Sequence, residues 1–306
     1  MVLKNKDLLL LVRNNFLDMK SLRQYIREAE EKGIAIGHFN ISNLETLRGI
    51  FNAAKKLDVP VIIGTADGER KYIGTKQAVA LVKSYRDEYN YPIFLNADHT
   101  YSFEGVKECI DAGYDAVIFD GTGMSHEENV KITKQCVDYA RSVNPEIIVE
   151  AELGFIGVSS KVLDKLPEGV KITEEFLTKP EVAKKFIEDT GIDMIAPAVG
   201  NIHGMLKGGI DPALNIKRVG EIQKAINIPM VLHGASGNSA SDIQGAIKNG
   251  MPVVHINTEI RVAFRKALEK ELAEKPNDVA PYKYMEETIL AVEKVVEEKL
   301  KIFNFL

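Results

Sequence analysis

Most histidines of this chain stand at the ends of short apolar segments, where imidazole side chains can bind a metal ion or transfer protons. The chain has six histidines. Five of them end such segments: His38, His99, His203, His233 and His255. The sixth, His126, lies in a loop after another such segment. One buried histidine is usually a hydrogen-bonded core residue, but five that converge on one face of a fold are typical of a functional site.

Imidazoles and carboxylates that converge on a pocket favour a divalent cation, and three protein nitrogens with one open position are the ligands of catalytic zinc. The three histidines ranked first as ligands each adjoin an aspartate or a glycine, beside which a ligand can approach closely. They are His99, His203 and His233, next to Asp98, Gly204 and Gly234. Asp120 and Glu152 offer a second or alternative metal position, or orient a ligating imidazole. They can equally be interior polar residues that their neighbours satisfy.

Eight short apolar segments, rich in isoleucine and valine, predict the strands that position these side chains. They are Ala35–Asn40, Pro60–Thr65, Ile93–Asp98, Ala116–Gly121, Ile147–Gly154, Met194–Val199, Pro229–Gly234 and Val253–Thr258. Segments of helical periodicity separate them, so we predict an α/β fold, a (β/α)8 barrel whose chemistry lies at the carboxyl ends of the strands. A doubly wound open sheet also alternates strands with helices, but no G-x-G-x-x-G motif follows the first strand.

No linker of biased composition divides the chain, so we expect residues 1–306 to form one barrel domain. Residues 1–34 are predicted to be a helical extension that closes the lower end of the barrel. Residues 259–306 are predicted to be helices that pack outside it.

The overall composition excludes several classes of protein. The chain has 39 Lys and Arg against 44 Asp and Glu, a net charge of −5, which disfavours a nucleic-acid partner. Its two cysteines, Cys109 and Cys136, do not form a disulfide framework and fit a reducing compartment. The early apolar run Leu8–Val12 is too short for a membrane span or a signal segment. We therefore expect a cytoplasmic protein with no membrane partner.

Glycine-rich and hydroxyl-bearing turns follow the last two predicted strands, where barrels commonly bind a phosphate through backbone N–H groups. These turns are His233–Gly237 and Asn257–Thr258, and Lys207 can add a positive charge. A metal at one point of the pocket and a phosphate at another suit a small phosphorylated carbonyl compound.

Five sequence blocks in consistent order resemble the class II, metal-dependent fructose-bisphosphate and tagatose-bisphosphate aldolase family. They are Asn96–Glu104 (NADHTYSFE), Asp120–Asn129 (DGTGMSHEEN), Val149–Gly154 (VEAELG), Gly200–Gly204 (GNIHG) and Leu232–Gly237 (LHGASG). The resemblance implies a (β/α)8 barrel that assembles as a homodimer or homotetramer. It also implies that His99, His203 and His233 bind Zn²⁺ or another divalent metal and that Asp98 is the catalytic acid/base.

The resemblance further implies a small phosphorylated sugar as substrate. The enediolate of dihydroxyacetone phosphate would attack an aldehyde, with zinc polarising the ketone and Asp98 protonating the new alkoxide. The residues expected to hold the substrate and its phosphate are Asn40, Gly204, Lys207, Gly234, Ala235, Ser236, His255, Asn257 and Thr258. In the family, Na⁺ or K⁺ often assists at this phosphate. A Schiff-base mechanism is disfavoured because no predicted strand carries a lysine.

Several positions depart from the family pattern. Ser159 and Ser160 stand where the family has an acidic pair, whose second member deprotonates the ketone. The nearby acids Asp164 and Glu168 are candidate substitutes, and His255 replaces an asparagine of the eighth strand. The positions that normally contact a distal phosphate are Ala66 and Tyr282, in place of a serine and an arginine.

These departures leave three hypotheses. The first is a zinc-dependent aldolase whose aldehyde product is less phosphorylated than in the parent activity. The second is a metal-dependent lyase or isomerase that acts on another sugar phosphate. The third is a non-catalytic protein that binds a sugar phosphate.

Overall fold

The structure is a computed structural model that describes residues 19–157, 161–166, 172–208 and 211–306. Its strands are β1 (Ile36–Asn40), β2 (Val61–Thr65), β3 (Ile93–Thr100), β4 (Ala116–Phe119), β5 (Ile148–Leu153), β6 (Val162–Leu163), β7 (Met194–Pro197), β8 (Met205–Leu206), β9 (Val231–Leu232) and β10 (Val253–Ile256). Its helices are α1 (Leu22–Lys32), α2 (Leu44–Leu57), α3 (Asp67–Ile73), α4 (Thr75–Tyr89), α5 (Phe103–Ala112), α6 (His126–Val143), α7 (Pro180–Thr190), α8 (Ile216–Ala225), α9 (Ala240–Lys248), α10 (Thr258–Glu274), α11 (Pro281–Tyr284) and α12 (Glu286–Asn304).

Eight of these strands form one parallel sheet in the order β7-β5-β4-β3-β2-β1-β10-β9. A parallel bridge between Ile195 and Met230 links the two edges and nearly closes the sheet into a barrel. Every strand residue of the barrel is buried except His99 of β3, which is partly exposed, and this burial is why each strand reads as a short apolar run. The predicted (β/α)8 barrel is confirmed.

The interior of the barrel is apolar at the amino ends of the strands. Leu22, Ile26 and Ala29 of α1 pack there in one cluster of buried side chains. The cluster continues through interior strand residues: Ile36, Ile62, Phe94, Ala116, Ile148, Met194, Ala196, Val231 and Val253. Helix α1 therefore closes this end, and the polar side chains are left at the carboxyl ends.

The last helix packs on the outside of the barrel, against α2 and α10. Its buried Phe303 lies with its ring centroid 6.4 Å from that of Phe39 in β1. The backbone N–H of Ala35 donates to the carbonyl of Phe303, which ties this helix to the first strand. No helix among the described residues is both long and apolar enough to cross a membrane.

Three elements were not expected from the sequence. Helix α3 directly follows β2, and its seven residues are too few to show a helical period. Strands β6 and β8 pair two residues each outside the barrel, through hydrogen bonds from Met205 N to Lys161 O and from Lys207 N to Leu163 O. Backbone hydrogen bonds hold a pairing this short, so no apolar pattern in the sequence predicts it.

Candidate metal and substrate site

Four side chains from different segments of the chain meet at the carboxyl end of the barrel. His99 lies on β3, Glu152 on β5, His203 in the segment between β7 and β8, and His233 directly after β9. Each offers one ligand atom, and these atoms all lie within 4.8 Å of one another. Three imidazoles and a carboxylate at this spacing form a donor set that suits a zinc-like divalent cation.

A bulge in β3 aims His99 into this group. The register with β4 shifts between Ala97 and Thr100, and His99 has φ +47°, a left-handed conformation that is costly for a residue with a side chain. The guanidinium of Arg70 donates to the carbonyls of Asp98, at 2.9 Å, and His99, at 3.2 Å. It also donates to the carbonyl of Thr65. Arg70 thus supports the strained backbone beneath the predicted acid and the first predicted ligand.

His203 and His233 are brought together by a close approach of two loops. Gly234 has φ +59°, and a Cβ added there would lie 2.1 Å from the carbonyl oxygen of Ile202. Only glycine fits this contact without moving the segment that carries His203. The Nδ1 of His203 is hydrogen-bonded to the carbonyl of Gly157 at 2.7 Å, which orients the ring and leaves its Nε2 toward Glu152.

Carboxylates surround the imidazoles. Asp120 Oδ2 lies 3.0 Å from Nδ1 of His99. His233 lies between two glutamates, with Nδ1 2.5 Å from Glu152 and Nε2 2.6 Å from Glu150. A carboxylate that holds the second nitrogen of an imidazole orients it as a metal ligand and raises its basicity. The residues present therefore fit a bound divalent cation.

These carboxylates set the protonation of the site. Burial by itself lowers the pKa of His99, but Asp98, Glu152 and the hydrogen bond to Asp120 outweigh it and raise that pKa to about 9. Burial likewise opposes the rise in the pKa of His233, which Glu150 and Glu152 drive well above its usual value. Both imidazoles bind protons where a cation would otherwise sit, so metal binding releases protons here.

His38 and His255 form a second buried group beside the three predicted metal ligands. They are register partners on β1 and β10, and their rings stack in parallel with centroids 3.5 Å apart. The ring of His255 also lies 4.1 Å from that of His233. Burial lowers the pKa of His38 to about 4 and that of His255 well below its usual value, so both stay neutral. One metal cannot lie in the planes of both stacked rings, so the pair is a poor metal site in this arrangement.

A cavity of about 30 Å³ connects the metal-binding group with most of the predicted substrate residues. Its lining comprises Asn40, Asp98, His99, His203, Gly204, His233, Gly234, Ser236, His255, Asn257 and Thr258. Asp120, Glu150 and Glu152 lie behind the histidines, as their contacts above show.

Other predicted residues lie elsewhere. Ala235 is buried and does not line the cavity. The side chain of Lys207 is 78% exposed and pairs at 3.4 Å with Asp164, so neither reaches the cavity in this structure. Ser159, Ser160 and Glu168 lie outside the described residues.

Sequence reasoning placed Asn40 among the substrate-binding residues but missed its contact with Asp98, and it missed Glu69 and Arg70. Asn40 Nδ2 donates to Asp98 Oδ2 at 2.7 Å and to Glu69 Oε2 at 2.8 Å. Glu69 and Arg70 are buried charged residues on α3. The available signal was the position of Glu69 and Arg70 shortly after the end of β2, because polar side chains that follow barrel strands lie at the face where the site is built.

Comparison with known proteins adds a family match to this geometry. The sequence profile of the family described as "Fructose-bisphosphate aldolase class-II" matches residues 20–305. A Bacillus subtilis (strain 168) protein named "Probable fructose-bisphosphate aldolase" is 36% identical over 291 residues, which cover 94% of this chain and 98% of the relative. A Staphylococcus aureus (strain Mu50) fructose-bisphosphate aldolase is 35% identical over 291 residues, which cover the same shares of this chain and of the relative.

Two solved structures share the fold at similar coverage. The YdjI aldolase of Escherichia coli K12 has a TM-score of 0.77 and 31% identity, covering 92% of this chain and 96% of that one. A putative fructose-1,6-bisphosphate aldolase from Coccidioides immitis has a TM-score of 0.79 and 27% identity, covering 94% and 97%.

Proposed function

Because the chain belongs to the class II fructose-bisphosphate aldolase family, we propose that it reversibly cleaves a ketose phosphate into dihydroxyacetone phosphate and an aldehyde. The observation that carries the proposal is the meeting of His99, His203, His233 and Glu152 within 4.8 Å. The three histidines line a cavity whose wall also includes Asp98. This arrangement places a metal-binding group beside a proton-transfer group, as aldol chemistry requires.

Zn²⁺ is the cation that we propose, with His99, His203 and His233 as ligands. Imidazole nitrogens suit zinc. Glu150 holds Nε2 of His233 and orients that ring, so its Nδ1, which contacts Glu152 in this structure, would face the cation. When bound, such a cation supplies Lewis acidity that polarises a ketone oxygen.

Asp98 is the residue that we propose as general acid. In the direction of synthesis it protonates the alkoxide formed when the donor's enediolate attacks the aldehyde, and in cleavage it takes that proton back. Asn40 holds one carboxylate oxygen of Asp98 at 2.7 Å, which fixes the orientation of the other. Without a bound cation, the neighbouring imidazoles lower the pKa of Asp98 although burial opposes them.

The donor's phosphate is proposed to bind at Gly204, Gly234, Ser236 and Thr258. All four line the cavity, and Thr258 is the first residue of α10. Backbone N–H groups at a helix amino terminus and in glycine turns favour an anion. A Na⁺ or K⁺ ion beside this phosphate is part of the proposal.

The aldehyde is proposed to carry no phosphate. Ala66 has no hydroxyl to offer, and Tyr282 lies 77% exposed on α11 with no positive charge. We therefore expect the chain to cleave fructose 1-phosphate more efficiently than fructose 1,6-bisphosphate.

The decisive experiment is a cleavage assay of the metal-loaded protein that detects dihydroxyacetone phosphate. Fructose 1-phosphate, fructose 1,6-bisphosphate and tagatose 1,6-bisphosphate serve as substrates, with and without a chelator. Cleavage that disappears on chelation and returns with Zn²⁺ supports the proposal. Ligand binding without turnover by the loaded protein would instead indicate a non-catalytic sugar-phosphate binder, and isomerised products would indicate the second alternative.

We also propose a single barrel domain, a cytoplasmic location and a homodimer or homotetramer. Exposed apolar side chains support assembly, since Val279, in the segment between α10 and α11, is 88% exposed and Leu290, on α12, is 51% exposed. Sedimentation equilibrium of the purified protein measures the assembly directly, and a monomer at micromolar concentration would contradict it.

A further inference from the structure

A second cavity, of about 270 Å³, lies beside the catalytic one, and Asn40 belongs to the walls of both. Its other walls include Ser42 from the turn after β1, Glu69 from α3 and Arg261 from α10. We infer that this cavity binds the distal end of the aldehyde half of the substrate and that its occupant is an uncharged, hydroxylated chain. The inference rests on the proposed aldolase activity and names the residues that select the aldehyde.

The position of Asp98 sets the direction of the substrate. The aldehyde oxygen must lie beside the Asp98 carboxylate to exchange a proton with it. The donor's phosphate is assigned to Gly234, Ser236 and Thr258, none of which lines the second cavity. The rest of the aldehyde therefore extends from Asp98 past Asn40, and the space on that side is the second cavity.

Glu69 and Arg261 give this cavity its electrostatic character. Arg261 Nη2 donates to Glu69 Oε1 at 2.5 Å, and Glu69 Oε2 accepts from Asn40 and from the backbone N–H of Ala66. The Glu69 side chain is only 8% exposed, whereas that of Arg261 is 46% exposed. A buried carboxylate thus already balances the guanidinium that faces the cavity.

This balance selects against a phosphate. A phosphate that approached Arg261 would compete with the carboxylate of Glu69 and would be repelled by it, at close range and out of bulk water. Sugar hydroxyls carry no charge, and they can both accept from Arg261 and exchange hydrogen bonds with the hydroxyl of Ser42. Ile260 and Phe264 add an apolar surface for the carbon chain.

The test compares three substrates that differ only in the aldehyde half: xylulose 1-phosphate, fructose 1-phosphate and fructose 1,6-bisphosphate. In Arg261→Met, kcat/KM for fructose 1-phosphate is expected to fall about 10-fold to 100-fold, the range for a lost hydrogen bond to a charged group. The loss for xylulose 1-phosphate is expected to be at least about tenfold smaller, because its two-carbon aldehyde ends before Arg261. Glu69→Gln is expected to raise the ratio of bisphosphate to monophosphate cleavage by about tenfold, since it removes the carboxylate charge that repels a phosphate beside Arg261.

Arg265→Met is the matched control, because Arg265 lies one turn further along α10 and its exposed side chain pairs with Glu269. All variants are used as full-length, metal-loaded protein, and their melting curves are compared with the wild type. If Arg261→Met and Arg265→Met give the same three kcat/KM values, the inference is wrong although the aldolase proposal stands. If the wild type prefers the bisphosphate, the inference that the occupant of the second cavity is uncharged is wrong. If the wild type cleaves none of the three, the aldolase proposal itself fails.

Discussion

Arg70 is predicted to hold both the fold and the metal-binding geometry at the end of β3. Its buried guanidinium donates to three backbone carbonyls, those of Thr65, Asp98 and His99. Methionine has a similar length but no donors, so Arg70→Met leaves three buried carbonyls short of a partner. Methionine also removes a buried charge, which offsets part of the cost.

The expected loss of stability follows from those three acceptors. An unsatisfied buried acceptor costs about 1–3 kcal/mol, and the low end applies here because a carbonyl has a second lone pair. Three acceptors at about 1 kcal/mol each lower the free energy of unfolding by about 3 kcal/mol. Loss of Arg70 also releases the left-handed backbone of His99, a conformation that costs about 1–3 kcal/mol to hold. Zinc affinity is therefore expected to fall about 10-fold to 100-fold, as for other groups that orient a ligand.

Arg86→Met provides the comparison, because Arg86 supports the opposite end of the same strand. It donates to the carbonyl of Ile93 at 2.8 Å and pairs with Asp115. We expect this variant to lose stability and to keep the metal affinity of the wild type.

Urea unfolding of the metal-free proteins gives the stabilities, and competition with a chromophoric chelator gives the Kd for Zn²⁺. If Arg70→Met binds Zn²⁺ as tightly as Arg86→Met, then Arg70 does not position His99 and the reasoning fails.

Three further predictions concern the site. Asp98→Asn is expected to lower the cleavage rate by about 10²-fold to 10⁴-fold while the protein keeps its metal. A rate assay and a metal analysis of the same sample check both expectations. An unchanged rate would exclude Asp98 as the acid. Gly234→Ala is expected to lower the free energy of unfolding by at least about 2 kcal/mol and to weaken metal binding, because its Cβ would meet the Ile202 carbonyl oxygen at 2.1 Å. If the variant is as stable in urea as the wild type, this contact is disproved. His38 is buried with its pKa lowered to about 4, so its contribution to stability is present above pH 6.5 and is lost as the pH falls toward 4, with a slope of about 1.4 kcal/mol per pH unit. In urea unfolding between pH 4 and 6.5, the free energy of unfolding of His38→Asn should depend less steeply on pH than that of the wild type, by about one proton. Equal slopes for the two proteins would contradict this prediction.

The sequence was sufficient for the barrel because its signals are local. Each strand is buried on both faces, so Val61–Thr65 and Ala116–Phe119 read as apolar runs without knowledge of their neighbours. The carboxyl ends of parallel strands meet at one face, so residues as distant in sequence as His99 and His233 could be grouped from topology alone.

The rest of the site depends on the direction in which individual side chains point, and the spacing of apolar residues in the sequence does not show that direction. Arg70 lies on a helix too short to show a pattern, and its three acceptors come from two strands. The stack of His38 on His255 follows from their register on neighbouring strands, which the sequence leaves open. Lys207 was assigned to the phosphate from its position four residues after His203 and from the family resemblance, and in this structure its exposed side chain pairs with Asp164.

Buried polar atoms without a hydrogen-bond partner indicate why the interior of the barrel is polar at the carboxyl ends of the strands. Among the described residues, several lie together around the catalytic cavity: both nitrogens of His38, His255 Nε2, Asp98 Oδ1 and Glu150 Oε2. Each such atom costs about 1–3 kcal/mol, so an interior selected for stability alone would hold apolar side chains here, as the lower half does. Because the cost is concentrated around one cavity, we infer that these groups are retained for the chemistry of the site. The apolar cluster under α1 offsets that cost, which assigns stability to one end of the barrel and function to the other.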